Sequence, residues 1–209
     1  MAPTEPGVTA PRLAVLLLAL AAPLAACGDT PAGQALRGVA PGTVAPAPVP
    51  VEGPALLLLT PRRATLLPVG EGGTRRLWRG EANLALATEG ARVVATAGLA
   101  QMLMSTRFEG ADPLEDPRAL LGRQAVARRT VDLSGADRDP RGMRFGLRLD
   151  CTLRGQAEGG WIVVDERCVG ERVAFTNRFW AVPETGAVMQ STQWVGEGIG
   201  MLTIRMQGI

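Results

Sequence analysis

The dipeptide Gly159-Gly160, set midway between Cys151 and Cys168, constrains the fold of this chain more than any other feature. Gly-Gly is a signal for a two-residue hairpin turn, because both central positions need positive φ. Each cysteine stands eight residues from the turn, so the two fall directly opposite one another. Counting outward from the flanking pair Glu158 and Trp161 puts them at a non-hydrogen-bonded position, where Cα atoms are about 4.5 Å apart. That separation lies within reach of a disulfide. The same register sets Arg154 against Asp165 and places Leu149, Leu153, Ile162 and Val164 on the cysteine face. With Cys27 set aside, an even pair in an oxidising compartment favours a bond. The spacing is not Cys-x-x-Cys, so its role is structural.

The remaining chain reads as further strands separated by Gly, Pro, Asp or Asn. Short apolar or alternating runs occupy residues 55–59, 64–69, 74–78, 83–87, 92–96, 123–133, 144–153, 161–168, 172–180, 188–195 and 201–206. The expected fold is mainly β, an antiparallel β-sandwich or barrel-like single domain. One stretch departs from the pattern. Residues 97–106 carry Leu99, Met102 and Leu103 at helical spacing and predict a short helix. Asp116-Pro117 predicts a second over residues 117–121, since proline suits a first helical turn.

The N-terminus sets the compartment. Arg12 precedes an apolar run over residues 13–22, and Leu24-Ala25-Ala26-Cys27 follows as a lipobox. Residues 1–26 are read as a lipoprotein signal peptide, with Cys27 the lipidated residue. Thioether-linked and amide-linked acyl chains, palmitate among them, would hold it in a membrane, each buried CH₂ contributing roughly 0.8 kcal/mol. Residues 27–54, rich in Pro, Ala and Gly, read as a tether. At roughly 3.1 Å per residue it could span on the order of 80 Å. Residues 55–209 form the domain. Gly28 follows Cys27, without the Asp that retains lipoproteins in the inner membrane. The expected location is therefore the cell envelope, at the periplasmic face of the outer membrane.

Composition excludes much chemistry. All 22 basic residues are Arg, with no His, Lys or Tyr. Ser-His-Asp and Cys-His catalysis, imidazole metal ligation and Schiff-base formation are therefore closed. No catalytic residue, metal site or cofactor is expected. Paired carboxylates are the remaining catalytic route, and Asp112, Glu115 and Asp116 cluster beside Pro113 and Pro117. A hydrolase would need two acids about 5–9.5 Å apart across one cleft, whereas acids beside prolines more often form a solvated turn. Arg75-Arg76 and Arg128-Arg129 read as solvent-facing pairs. A net charge of +2 is too small and too evenly spread for nucleic-acid binding.

Two segments carry a resemblance. The first runs from Trp78 through residues 91–99 to Phe108-Glu-Gly-Ala-Asp-Pro-Leu114. The second is Thr176-Asn-Arg-Phe-Trp180, then Glu184-Thr-Gly-Ala-Val188, then Ser191-Thr-Gln-Trp194. In order and spacing these resemble the YjbF/GfcB lipoproteins, associated with group 4 capsule and exopolysaccharide gene clusters. Met189-Gln190 departs from the family's Trp-Arg, and Gly196-Glu197 from its Gly-Pro. The resemblance implies a non-enzymatic β lipoprotein assisting production or export of surface polysaccharide, and it supplies no catalytic residues. Its partners would be the membrane, through the anchor, and a polysaccharide or a polysaccharide-export protein.

The candidate ligand or partner surface is Asn177, Arg178, Trp180, Gln193 and Trp194. Aromatic faces stack on sugar rings, and Arg, Asn and Gln donate hydrogen bonds to hydroxyls or acidic sugars. Alternation puts Asn177 and Phe179 on one face of their strand, and Arg178 and Trp180 on the other. Arg178 and Gln193 are expected to face outward. Trp180 and Trp194 serve either as a sugar platform or as core, and a chain with so few aromatics favours core.

Overall fold

A computed structural model describes residues 54–208 except 136 and 138. The signal segment 1–26, Cys27 and the tether up to residue 53 lie outside the described residues. Twelve strands account for most of the described chain: β1 (Ala55–Thr60), β2 (Ala64–Gly72), β3 (Arg75–Arg79), β4 (Ala85–Glu89), β5 (Arg92–Ala97), β6 (Gln101–Phe108), β7 (Gln124–Gly135), β8 (Arg144–Glu158), β9 (Trp161–Val169), β10 (Ala174–Ala181), β11 (Val188–Trp194) and β12 (Met201–Gln207). They form one antiparallel sheet in the order β5-β4-β3-β2-β1-β12-β11-β10-β9-β8-β7-β6. Every neighbour is consecutive in the chain except β1 and β12. The two edge strands, β5 and β6, are joined by a three-residue turn, so the sheet curls into a nearly closed barrel. Closure leaves little free edge for pairing with another chain.

The expected hairpin is present. Gly159 and Gly160 have φ of +56° and +82°, Glu158 pairs with Trp161, and Cys151 pairs with Cys168. The two cysteines form a disulfide. Leu149, Leu153, Ile162 and Val164 are buried on the same face. Arg154 does oppose Asp165, but the carboxylate accepts from Arg178 instead, and Arg154 Nε donates to Gln124.

All eleven expected runs are strands. The expected helix over residues 97–106 is not formed, and β6 takes its place. The pattern misleads because Leu99, in the turn before β6, and Leu103, on its inner face, are four residues apart, a spacing that period two also gives, and a bulge between Leu103 and Ser105 then breaks the alternation with β7. The bulge leaves Leu103 and Thr106, three residues apart, both buried. A strand with a bulge thereby imitates helical spacing. Gly98 starts the turn into β6 at φ +77°, where a Cβ would lie 2.5 Å from the Asn83 carbonyl oxygen. The second expected helix is a single 3-10 turn, Pro117–Leu120, capped by Asp116. Similar turns occur at Pro113–Glu115 and Pro140–Gly142.

Inward positions carry Leu56, Leu66, Trp78, Leu86, Leu133, Phe179 and Leu202, each essentially inaccessible. Each such side chain contributes roughly 1.5–3 kcal/mol of burial. Arg128, Arg148, Arg154 and Arg167 stand on the outside. Apolar inside and charged outside is the arrangement of a water-facing barrel and the reverse of a porin wall.

Candidate functional site

Alternation also turns several polar side chains inward. Arg92 opens β5, Arg129 lies in β7, Glu166 in β9, Asn177 in β10, and Ser191 and Gln193 in β11, and all are buried. The Arg92 guanidinium forms a two-pronged pair with Asp112, Nε to Oδ2 at 2.6 Å and Nη2 to Oδ1 at 2.8 Å. Its Nη1 donates to Glu166 Oε2 at 2.6 Å. The Phe108 and Phe179 rings flank the same guanidinium at 4.8 and 5.0 Å. Asn177 joins this group to the sheet: Nδ2 donates to Glu166 Oε2 at 2.6 Å, and Oδ1 accepts from the Trp194 backbone N–H at 2.7 Å.

Gln193 performs a second joining. Its Nε2 donates to the Ala91 carbonyl, and its Oε1 accepts from the Val93 N–H. A side-chain amide on β11 thus takes the place of a strand on the unpaired edge of β5. Buried backbone groups need partners, and this one amide supplies two.

The electrostatics follow from burial and pairing. Burial alone would push the Glu166 carboxyl up. The charges of Arg92 and Arg129, with hydrogen bonds from Arg92 and Asn177, outweigh it and hold the group below its ordinary value. Burial would lower Arg92, but Glu166 and Asp112 raise it beyond its ordinary value. Arg129 behaves oppositely: burial pushes it down to about 10, with Glu166 offsetting only part.

A carboxylate depressed in the folded state contributes stability that is present above its unfolded value of about 4.3 and lost as pH falls through the folded value. Wild-type protein is therefore expected to lose stability below about pH 4 more steeply than Glu166→Gln, as read by urea midpoints against pH. Parallel curves for the two proteins would show that Glu166 does not stay ionised in the fold.

Beside this group lies a cleft of about 920 Å³, within the size range of small-molecule sites. It opens at the rim where β1, β3, β5 and β11 begin and β4, β6 and β12 end. Arg92, Asp112, Thr106 and Ser191 supply polar groups, while Val94, Phe108, Val188, Met189 and Met206 supply apolar wall. Apolar wall with a few convergent hydrogen-bonding groups suits a ligand that is itself amphipathic, such as a sugar ring.

The candidate surface read from the sequence divides in two. Arg178 lies on the outer face, as expected; Trp180 shares that face, half-buried, and is not the core residue that the scarcity of aromatics favoured. Arg178 is held by Asp165 through Nε at 2.7 Å and Nη2 at 2.8 Å, and its guanidinium sits 6.0 Å from the Trp180 ring centre. Asn177, Gln193 and Trp194 are buried and cannot share a surface with them. Gln193 faces inward because Arg178 pairs with Thr192, which places Thr192, and not Gln193, beside Arg178. Trp194 is core, stacked on Phe175 at 4.5 Å between ring centres.

Two other expectations are revised. Arg128 is exposed, but Arg129 is 3% accessible; adjacent residues in a strand point to opposite faces, so such a pair cannot both face water. Arg75 is exposed and paired with Glu89, while Arg76 is half-buried with its guanidinium 5.4 Å from the Trp78 ring. Asp116 is exposed in its turn as expected, but Asp112 is drawn onto Arg92. Arg92, Arg129, Glu166 and Phe108 escaped the sequence reading as site residues. Their signal was a charged residue in phase with apolar neighbours: Glu166 is two positions from both Val164 and Cys168. Among the described residues one His/Cys/Asp/Glu group has metal-ligand proximity, Cys151, Glu166 and Cys168, and its sulfurs are spent in the disulfide.

Fold and site together define a class: an antiparallel meander barrel with a water-facing exterior, a buried arginine–carboxylate network and a cleft at one rim. Within that class the chain belongs to the YjbF family, described as group 4 capsule polysaccharide lipoprotein GfcB, YjbF, whose sequence profile matches residues 55–206. A search of curated proteins finds no match. Among solved structures, the crystal structure of the hypothetical lipoprotein YmcC from Escherichia coli (K12) is similar, with a TM-score of 0.63 and 19% identity over 86% of this chain and 97% of that one. At that identity the likeness concerns the fold.

Proposed function

We propose that this protein is a non-enzymatic accessory lipoprotein of capsule or exopolysaccharide production or export, and that it binds a segment of the glycan in the cleft at the barrel rim. Cys27 carries the anchor, placing the domain at the periplasmic face of the outer membrane. The observation that carries the reading is the cleft itself, apolar-walled, with hydrogen-bonding groups fixed by a buried network. Fixed polar groups bind with little ordering cost, which suits recognition. A non-catalytic role is supported by the state of the two carboxylates in the buried network. Glycoside hydrolysis needs one acid held protonated by a raised pKa, whereas Glu166 is held ionised and shares Arg92 with Asp112.

The test is calorimetric titration of the full chain in detergent with surface polysaccharide from the same cells, beside Met189→Trp, which fills the cleft, and Arg178→Ala on the outer face. Saturable binding is expected in wild type and Arg178→Ala and is lost in Met189→Trp, with all three melting alike. Loss in Arg178→Ala alone would move the site to the outer face. No saturable binding at all would replace the glycan reading with that of a structural envelope lipoprotein making protein contacts only.

A further inference from the structure

Arg129 stands out in the barrel interior because much of its hydrogen-bonding capacity is unused. It is almost wholly buried, yet Nε and Nη2 have no hydrogen-bond partner. Its guanidinium lies over two aromatic faces, Phe175 at 5.5 Å and Phe108 at 6.0 Å, and its counter-charge is Glu166, whose Oε1 is likewise buried without a hydrogen-bond partner. Arg92 gives the contrast within the same interior: the corresponding edge, Nε with Nη2, grips both oxygens of Asp112. That edge is the one that takes a carboxylate or phosphate through two parallel bonds. On Arg129 it is free.

Two further observations point toward the cleft. Thr106 Oγ1, on the cleft wall, is also buried without a partner. Phe108, which pairs across the ladder with Arg129, forms part of the same wall, and its ring lies 6.0 Å from the guanidinium, so it borders both. We infer that the interior behind Phe108 is a binding site for an oxyanion, with Arg129 as its two-pronged donor and Thr106 as an added hydroxyl. On the reading that the cleft binds glycan, the ligand class becomes an acidic glycan, one carrying uronate or phosphate. The Phe108 ring moves aside when the acid enters. Burial without an adequate counter-charge weakens the hold of Arg129 on its proton, as its lowered value shows, and an incoming carboxylate supplies what Glu166 does not.

A residue that awaits a ligand destabilises the empty protein, because a buried charge with unfilled hydrogen bonds and only a partial counter-charge is costly, and replacement by an apolar side chain relieves it. Arg129→Met is thus expected to melt at or above wild type while losing the site, a combination that a structural arginine cannot produce. The experiment is an NMR titration of the full chain in detergent, ¹⁵N-labelled, with D-glucuronate, D-glucose and inorganic phosphate, following the arginine Nε–Hε resonances. One resonance, missing in Arg129→Met, is expected to shift saturably with glucuronate and with phosphate and to ignore glucose. Phe108→Ala, which leaves both donors intact, should saturate at lower glucuronate.

An Arg129 resonance unmoved by either acid, or a lower melting temperature for Arg129→Met, would overturn the site. Either result would mean that Glu166 or internal water already satisfies the guanidinium. If the resonance stays still while surface polysaccharide still binds the cleft, the acidic-ligand inference fails and the glycan reading stands. If phosphate shifts it but neither glucuronate nor polysaccharide binds, the oxyanion site stands and the glycan reading fails.

Discussion

Arg92→Met is expected to destabilise the barrel by about 3–5 kcal/mol, the usual cost of removing one member of a buried ion group and leaving its partners uncompensated. Glu166 is fully buried and cannot recover its lost partner from water, while the Asp112 side chain, 14% accessible, recovers only part. Methionine preserves the contact with the Phe108 and Phe179 rings, which isolates the charge from the packing. For a domain of this size each kcal/mol moves the midpoint by roughly 2–4 °C, so a fall of at least about 6 °C should appear in a thermal melt. Arg129→Met, two strands away from Arg92 across the β5–β6 seam, should move the midpoint the other way or not at all. A loss below about 1 kcal/mol for Arg92→Met would mean that the carboxylates protonate or rehydrate freely, and that the network does not hold the interior together.

Reduction of Cys151–Cys168 should cost about 3 kcal/mol. The bond joins residues 17 apart in sequence, and closing a loop of that length removes about this much entropy from the unfolded chain. Cys151→Ala/Cys168→Ala should lose at least as much, since both sulfurs are buried and their removal leaves space in the core. The readout is the urea midpoint of oxidised, reduced and doubly substituted protein. Equal midpoints for the oxidised and reduced forms would show that the hairpin is held by its turn and side-chain pairs, with the disulfide contributing nothing to stability.

The two effects were unequally visible in the chain. The disulfide pairing could be counted outward from Gly159-Gly160, because a two-residue turn sets register by itself. Strand positions were similarly open to reading, since period-two patterns and Gly or Pro punctuation are local. The same method failed at β6, where a bulge shifted the phase by one residue and made burial recur at three.

Asn177 and Gln193 illustrate the difference best. They stand out as polar residues beside tryptophans, and a strand surface is a reasonable place for them. In the fold they are internal joints, Asn177 linking Glu166 to the Trp194 backbone and Gln193 bonding to β5 some hundred residues away. Nothing adjacent in the chain indicates those partners.

By itself the sequence determined the β class, the cysteine pairing, eleven of the twelve strands and the exclusion of histidine- and lysine-based chemistry. Each of these depends on residue type or on spacing within a few residues. Only the tertiary structure decided that Arg92, Asn177 and Gln193 face inward, that Arg92 meets a carboxylate 74 residues away, and that Arg129 is buried with Nε and Nη2 unpartnered. Those outcomes depend on curling the sheet until β5 adjoins β6. Side chains from distant strands of the sheet meet across the interior only then, where burial leaves no charge indifferent to its neighbours.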